Sequence, residues 1–136
     1  MTDVCVETKK RTGILEFLQG ADFQVEDLEN QVYRVSRDEE LPVFLKIDEN
    51  EIYFEVDLGN VSSFADQGFY FQLLDLNTEI LPVSFGINNT NKDDPRLVLV
   101  ESRLTADLSD NELLGVFDAL ELAVDKAEVI LSDKDL

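Results

Sequence analysis

The stretch "LPVFLKIDENEIYFEVDL", Leu41–Leu58, decides the fold. Its second half alternates: Ile52, Phe54, Val56 and Leu58 fall on one side, Tyr53, Glu55 and Asp57 on the other. A period of two with one apolar and one polar set belongs to an antiparallel strand that buries one face. "LPVFLKI" is a second strand, and the polar "DENE" between them is a turn. Upstream, "QVYRVS" (Gln31–Ser36) is rich in strand formers and makes a third strand of one meander. "LPVSFGI" (Leu81–Ile87) repeats the Leu-Pro-Val opening of Leu41–Ile47. Proline lacks an amide hydrogen and suits a strand start or edge, so the shared wording reads as one local device used twice and not as a duplicated unit. With the turn "NNTNKDDP" and "RLVLVESRL" (Arg96–Leu104), it makes a second hairpin.

Helices fill the spaces between these runs. Ile14, Leu15, Phe17 and Leu18 give an apolar face to a short helix over about Gly13–Gln19, capped by Thr12 and stopped by Gly20. "ADFQVEDLEN" (21–30) has no clear period and is left unassigned. A second helix is expected over about Phe64–Leu76, capped by Ser63, with Phe64, Phe71 and Leu74 against the sheet. The last helix has the clearest signals. Ser109 and Glu112 form a capping box, and Leu108 and Leu113 sit where a hydrophobic staple would. Leu113, Phe117, Leu120, Val124, Ala127 and Leu131 follow at spacings of four and three, the stripe of a long helix packed on a sheet. The expected architecture is α+β: one domain over 1–136 with 1–12 frayed. Its five-stranded, mostly antiparallel sheet is built as three strands, a helix and two strands, flanked by a short N-terminal and a long C-terminal helix.

Composition narrows the chemistry. The chain has 30 Asp and Glu against 11 Lys and Arg, a net charge of −19, one cysteine and no histidine. Without histidine there is no Ser-His-Asp or Cys-His nucleophile activation and no His-ligated zinc or iron. Cys5 has no partner for an intrachain disulfide. The charge repels phosphate, so nucleic acid is not an expected partner; the basic run Lys9-Lys10-Arg11 reads as a solvated approach to the first helix. No apolar run reaches the roughly 20 residues of a membrane span, and the N-terminus lacks a secretory pattern, so a cytoplasmic protein is expected with no membrane insertion. There is no phosphate-binding glycine loop. "DENEIYFEVD" (48–57) lacks the alternating ligands and central glycine of a calcium loop, and "NNTNKDD" (88–94) reads as a turn. No catalytic, cofactor or metal residue is assigned.

The expected role is therefore non-enzymatic binding of another protein. The alternatives are a carboxylate- or metal-dependent hydrolase and a purely structural partner subunit. A homodimer is the simplest form of assembly. Its candidate interface is the flank of the last helix: Val116 and Ile130 beside the core stripe, and Leu122 and Val129 nearly opposite it.

Leu81, Pro82, Ser84, Phe85 and Gly86, with the capped helix after "ESRLTADLS", resemble the YjfI-like family of small bacterial proteins over about 41–131. That resemblance implies a helper in a membrane-stress system of the phage-shock-protein A kind, without assigning roles to residues. The element order is also similar to that of type III secretion chaperones and YbjN-like proteins. They are small, acidic, often dimeric proteins, and those chaperones hold other polypeptides.

Overall fold

The computed structural model describes residues 11–106 and 108–134. The order is α1 (Arg11–Gly20), β1 (Gln24–Asp27), β2 (Val32–Ser36), β3 (Val43–Ile47), β4 (Glu51–Gly59), α2 (Gln67–Leu76), a 3₁₀ turn (Asn77–Glu79), β5 (Ser84–Asn88), β6 (Arg96–Leu104) and α3 (Asp110–Lys134). All neighbouring strands are antiparallel, in the order β1-β2-β3-β4-β6-β5. β6 lies inside the sheet and β5 forms its outer edge, so the path from β4 through α2 reaches the edge before the chain turns back between β4 and β5.

The sheet has six strands where five were expected. The extra strand, β1, comes from the segment left unassigned, and it pairs with β2 from Gln24↔Ser36 to Asp27↔Tyr33. It is short and almost wholly exposed, so it has no apolar alternation to display. Its turn into β2 puts Glu29, Asn30 and Gln31 at positive φ without a glycine or proline to mark it. The Asp27 carboxylate accepts from the Glu29 amide at 2.7 Å, and Leu28 N–H donates to the Val32 carbonyl at 2.9 Å. Side-chain and backbone bonds here hold a turn that residue type alone does not announce.

Other boundaries also shift. α1 begins at Arg11, so Thr12 lies within the helix and does not precede it. The expected fraying falls mainly on residues 1–10, which lie outside the described residues together with Cys5, Lys9 and Lys10. α2 starts at Gln67 and is capped by Asp66, whose carboxylate accepts from the Phe69 amide at 2.8 Å; Ser63 lies in the preceding turn. Both Leu-Pro pairs stand just before their strands, which begin at Val43 and Ser84.

The core lies between one face of the sheet and the helices. Ile52, Phe54 and Val56 of β4 face it with Leu45 of β3 and Leu97 and Leu99 of β6, and all are almost fully buried. α3 lays Leu113, Val116, Phe117, Leu120, Ala123, Val124 and Ala127 on this face, each at most 5% exposed. Leu131 is partly buried and continues the stripe. The Phe117 ring meets Phe23 at 4.7 Å and Phe54 edge-on at 5.8 Å, separations at which aromatic pairs attract beyond simple area burial. Register is set at the start of α3. Glu112 N–H donates to Ser109 Oγ and Ser109 N–H to Glu112 Oε1, both at 3.1 Å, while Leu108 is buried beside them. This is the capping box read in the sequence.

Among the described residues, one charged side chain is buried on the core side. Glu101 of β6, opposite Phe54, has a side chain only 2% exposed. Its Oε2 accepts from Arg103 Nε at 2.9 Å, while Oε1 is buried without a hydrogen-bond partner. Arg103 also reaches Glu112 at 3.6 Å, joining the buried carboxylate to the capping box of α3. A buried charge without its counter-ion is worse than no charge at all. Arg103→Met is therefore expected to destabilise the fold by about 1–3 kcal/mol, the cost of stranding a buried acceptor. The double variant Glu101→Leu/Arg103→Met should recover most of that loss in urea unfolding. A neutral Arg103→Met, or a double variant less stable than the single, would contradict this assignment.

Candidate functional site

The candidate interface residues of α3 separate. Leu122 and Val129 are exposed, at 63% and 64%. Ile130 is partly buried against the core. Val116 is 1% exposed and belongs to the core itself, so it offers no surface to a partner. The face of α3 on the sheet is wider than a spacing of four and three implies, because Val116 and Ala123 join it beside Phe117 and Val124.

The larger apolar surface is on α2 and the edge of the sheet. Phe69 and Leu73, four residues apart, are the two residues of α2 that are buried. The other side of the helix carries Tyr70, Phe71 and Leu74, with Phe71 72% and Leu74 65% exposed. Residues three and four apart are neighbours on a helix surface, so these three form one strip. The expectation that Phe71 and Leu74 pack on the sheet is thus corrected. The buried pair is Phe69 and Leu73, offset along the helix, and Phe64 packs partly against the core from the turn before it. Leu81, in the turn that follows, and Ile87 of β5 are 69% and 50% exposed. The Phe85 amide donates to Asn77 Oδ1 at 2.6 Å, fastening the end of α2 to the edge strand.

A signal for this surface was present in the sequence. "QGFYFQLL" (67–74) and "ILPVSFGINNTN" (80–91) contain no charged residue in a chain whose charged fraction is 30%. Two uncharged segments on adjoining elements mark a surface that differs in kind from the rest of the molecule.

α3 has a different character where it meets the β2–β3 turn. Arg37 donates through Nε to Glu121 and through Nη2 to Asp118, both at 2.8 Å, and its guanidinium lies 4.8 Å from the centre of the Phe23 ring. These bonds, Glu121's first, hold the Arg37 pKa above its ordinary value despite the opposing effect of burial. Beside it the Glu40 carboxyl is pushed up, first by loss of solvation and then by Glu121, Asp125 and Glu128, against the pull of Arg37. The Arg37 clamp closes the groove between this turn and α3 over Phe23, Val43 and Phe117. Among the described residues, no three His, Cys, Asp or Glu side chains are grouped as a metal ion would need, and no helix is long and apolar enough to cross a membrane.

The chain matches the CesT_Tir_1 family over residues 7–132 and belongs to it, a family of type III secretion chaperones. Solved structures share its fold. The heterodimeric ExoU–SpcU complex from the type III secretion system of Pseudomonas aeruginosa matches at a TM-score of 0.68 and 20% identity, over 85% of this chain and 94% of that one. YbjN from E. coli, described as a putative transcription regulator, matches at 0.60 and 13% identity, over 88% and 92%. No curated protein matches. The chaperone-like and YbjN-like resemblances thus hold, whereas these matches give the YjfI-like label and its phage-shock link no support.

A carboxyl whose pKa is raised on folding costs stability wherever it is ionised, because the unfolded chain ionises it more easily. Its contribution is favourable below the ordinary glutamate range near about 4.3 and is lost as pH rises through the raised value. Glu40→Gln should therefore raise the melting temperature at pH 7, with the gain fading in acid below that range. A gain that persists unchanged in acid, or a loss at neutral pH, would show that folding does not raise the Glu40 carboxyl.

Proposed function

We propose that the protein is a non-enzymatic chaperone-like module that holds another polypeptide against the sparsely charged, apolar face made by α2, the turn at Leu81 and the edge strand β5, with Asp75 at its border. The observation that carries this reading is the exposure of Phe71, Leu74, Leu81 and Ile87 on segments without charge in a molecule of −19. Large contiguous apolar surface on a soluble fold marks a place where something else binds. Membership of a type III secretion chaperone family and likeness to a structure of a chaperone-family complex support the same role. Aromatic and leucine side chains at the centre, with the acidic remainder outside, match the usual division of an interface into apolar core and polar rim.

A homodimer is a second use of the molecule's surface. It draws support from Leu122 and Val129 on α3, seven residues apart and so on one side of the helix. Asp118, Asp125 and Lys126 surround that narrower strip. Two chains of −19 repel one another except where salt screens them, over about 8 Å at physiological strength, so the sparsely charged α2 face fits association of either kind better.

Tagged protein recovered from its native cell should carry a stoichiometric polypeptide partner. Phe71→Asp/Leu74→Asp should lose it while melting like the wild type, because both side chains are already in water. An unchanged yield of partner with the double variant, or no partner with the wild type, would contradict the proposal.

A further inference from the structure

The sheet face opposite the core carries a second feature. By register it holds Tyr53, Glu55 and Asp57 of β4, Val98 and Val100 of β6, and Ser84, Gly86 and Asn88 of β5. Val98 is 2% exposed yet stands outside the main core cluster. Tyr53 Oη donates to Glu55 Oε1 at 2.8 Å, and Asn88 Nδ2 donates to Oε2 at 3.1 Å from across β6. Gly86 adds no side chain to this row. The result is a shallow recess of about 510 Å³ lined by Tyr53, Glu55, Gly86, Asn88, Val98 and Val100.

The charges are uneven. Asp57 and Asp94 share Arg96, through contacts of 3.2 Å. Among the described residues Glu55 forms no ion pair; Lys46, opposite Tyr53, forms none with it. Its two hydrogen bonds come from neutral donors, and an ionised carboxylate can accept about four. The donors fix the carboxylate in place, and the tyrosine that serves as one of them is held protonated, its pKa raised by burial and then by Glu55. The unmet chemistry is that of a cationic donor. Val100, only partly buried, suits the aliphatic stem of such a side chain, which packs on apolar surface while its head keeps a polar partner. β5 is the outermost strand, so the recess, lined in part by Gly86 and Asn88, lies at the sheet edge.

We propose that this recess seats a lysine or arginine side chain of a bound polypeptide, with Glu55 as its counter-ion and Val100 beneath its stem. The proposal rests on the polypeptide-binding reading and adds a chemical preference to it. The test uses the full ¹⁵N-labelled chain in about 150 mM salt, where long-range attraction to the acidic surface is screened. The probe is the blocked peptide Ac-Ser-Val-Lys-Val-Ser-NH₂, with norleucine replacing lysine as the control. Amide shifts should move and saturate at Gly86, Val98 and Val100 with the lysine peptide, and the norleucine peptide should bind at least about tenfold more weakly. Glu55→Gln should remove that difference while leaving the melting temperature close to wild type. Gly86→Val, whose Cβ would meet Val98 at an ordinary 3.8 Å, should fill the recess and abolish binding. Equal affinity for the two peptides, shifts spread instead over Asp48–Glu51 and α3, or no response to Glu55→Gln would overturn the proposal. If Glu55→Gln still recovers the native partner as wild type does and the peptide fails to bind, this site falls and the polypeptide-binding role stands. If Phe71→Asp/Leu74→Asp leaves partner recovery unchanged while the peptide binds as expected, the α2 reading falls instead.

Discussion

Phe117, wedged between Phe23 and Phe54, is the contact on which the rest of the structure depends. It joins the long helix, the central strand β4 and the chain leaving α1 in one aromatic cluster. A three-element junction of this kind fixes the rotation of α3, and that rotation decides which of its residues reach the sheet. With Phe117 inward, Leu113, Leu120, Val124 and Ala127 are buried, and Leu122 and Val129 must face water. The capping box at Ser109 and Glu112 acts earlier along the helix to the same end, by fixing where its first turn begins.

Charge is the second constraint. A net −19 disfavours every compact arrangement of this chain, since most acids have no cation nearby. Three arginines stand where acids crowd. Arg37 stands against Glu121 and Asp118, Arg96 between Asp57 and Asp94, and Arg103 over buried Glu101. The sparsely charged α2–β5 face then stands out physically as well as in composition. It is where another chain can approach with little electrostatic cost. The proposed holding of a polypeptide needs such a surface, and an acidic exterior is one that favours solubility.

Elements whose own residues carry a period were legible in the sequence: β4 by its alternation, α3 by its stripe and caps. β1 was not, because an exposed four-residue edge strand derives its structure from pairing with β2 and not from its own pattern. A stripe at spacings of four and three sets Val116 on its flank, whereas a helix lying flat on a broad sheet buries a wider arc that includes it. Phe71 and Leu74 were placed inside for the related reason that apolar residues are presumed buried until something else claims the core. Phe69 and Leu73 do claim it, and the lack of charge around them was the readable clue. Neither the buried Glu101 nor the Glu55 recess had a sequence signal. Each is one acid among 30, distinguished only by what tertiary pairing brings beside it.

Under the proposed function, the large apolar side chains divide into those that hold the fold and those kept for a partner. Urea unfolding of two truncations tests that division most directly. Phe117→Ala, at the centre of the core, should lose about 3–5 kcal/mol. Phe71→Ala, 72% exposed on α2, should change stability by no more than about 0.5 kcal/mol. A Phe71→Ala loss comparable to that of Phe117→Ala would contradict the account, because it would mean that the α2 face belongs to the core and is not free to bind.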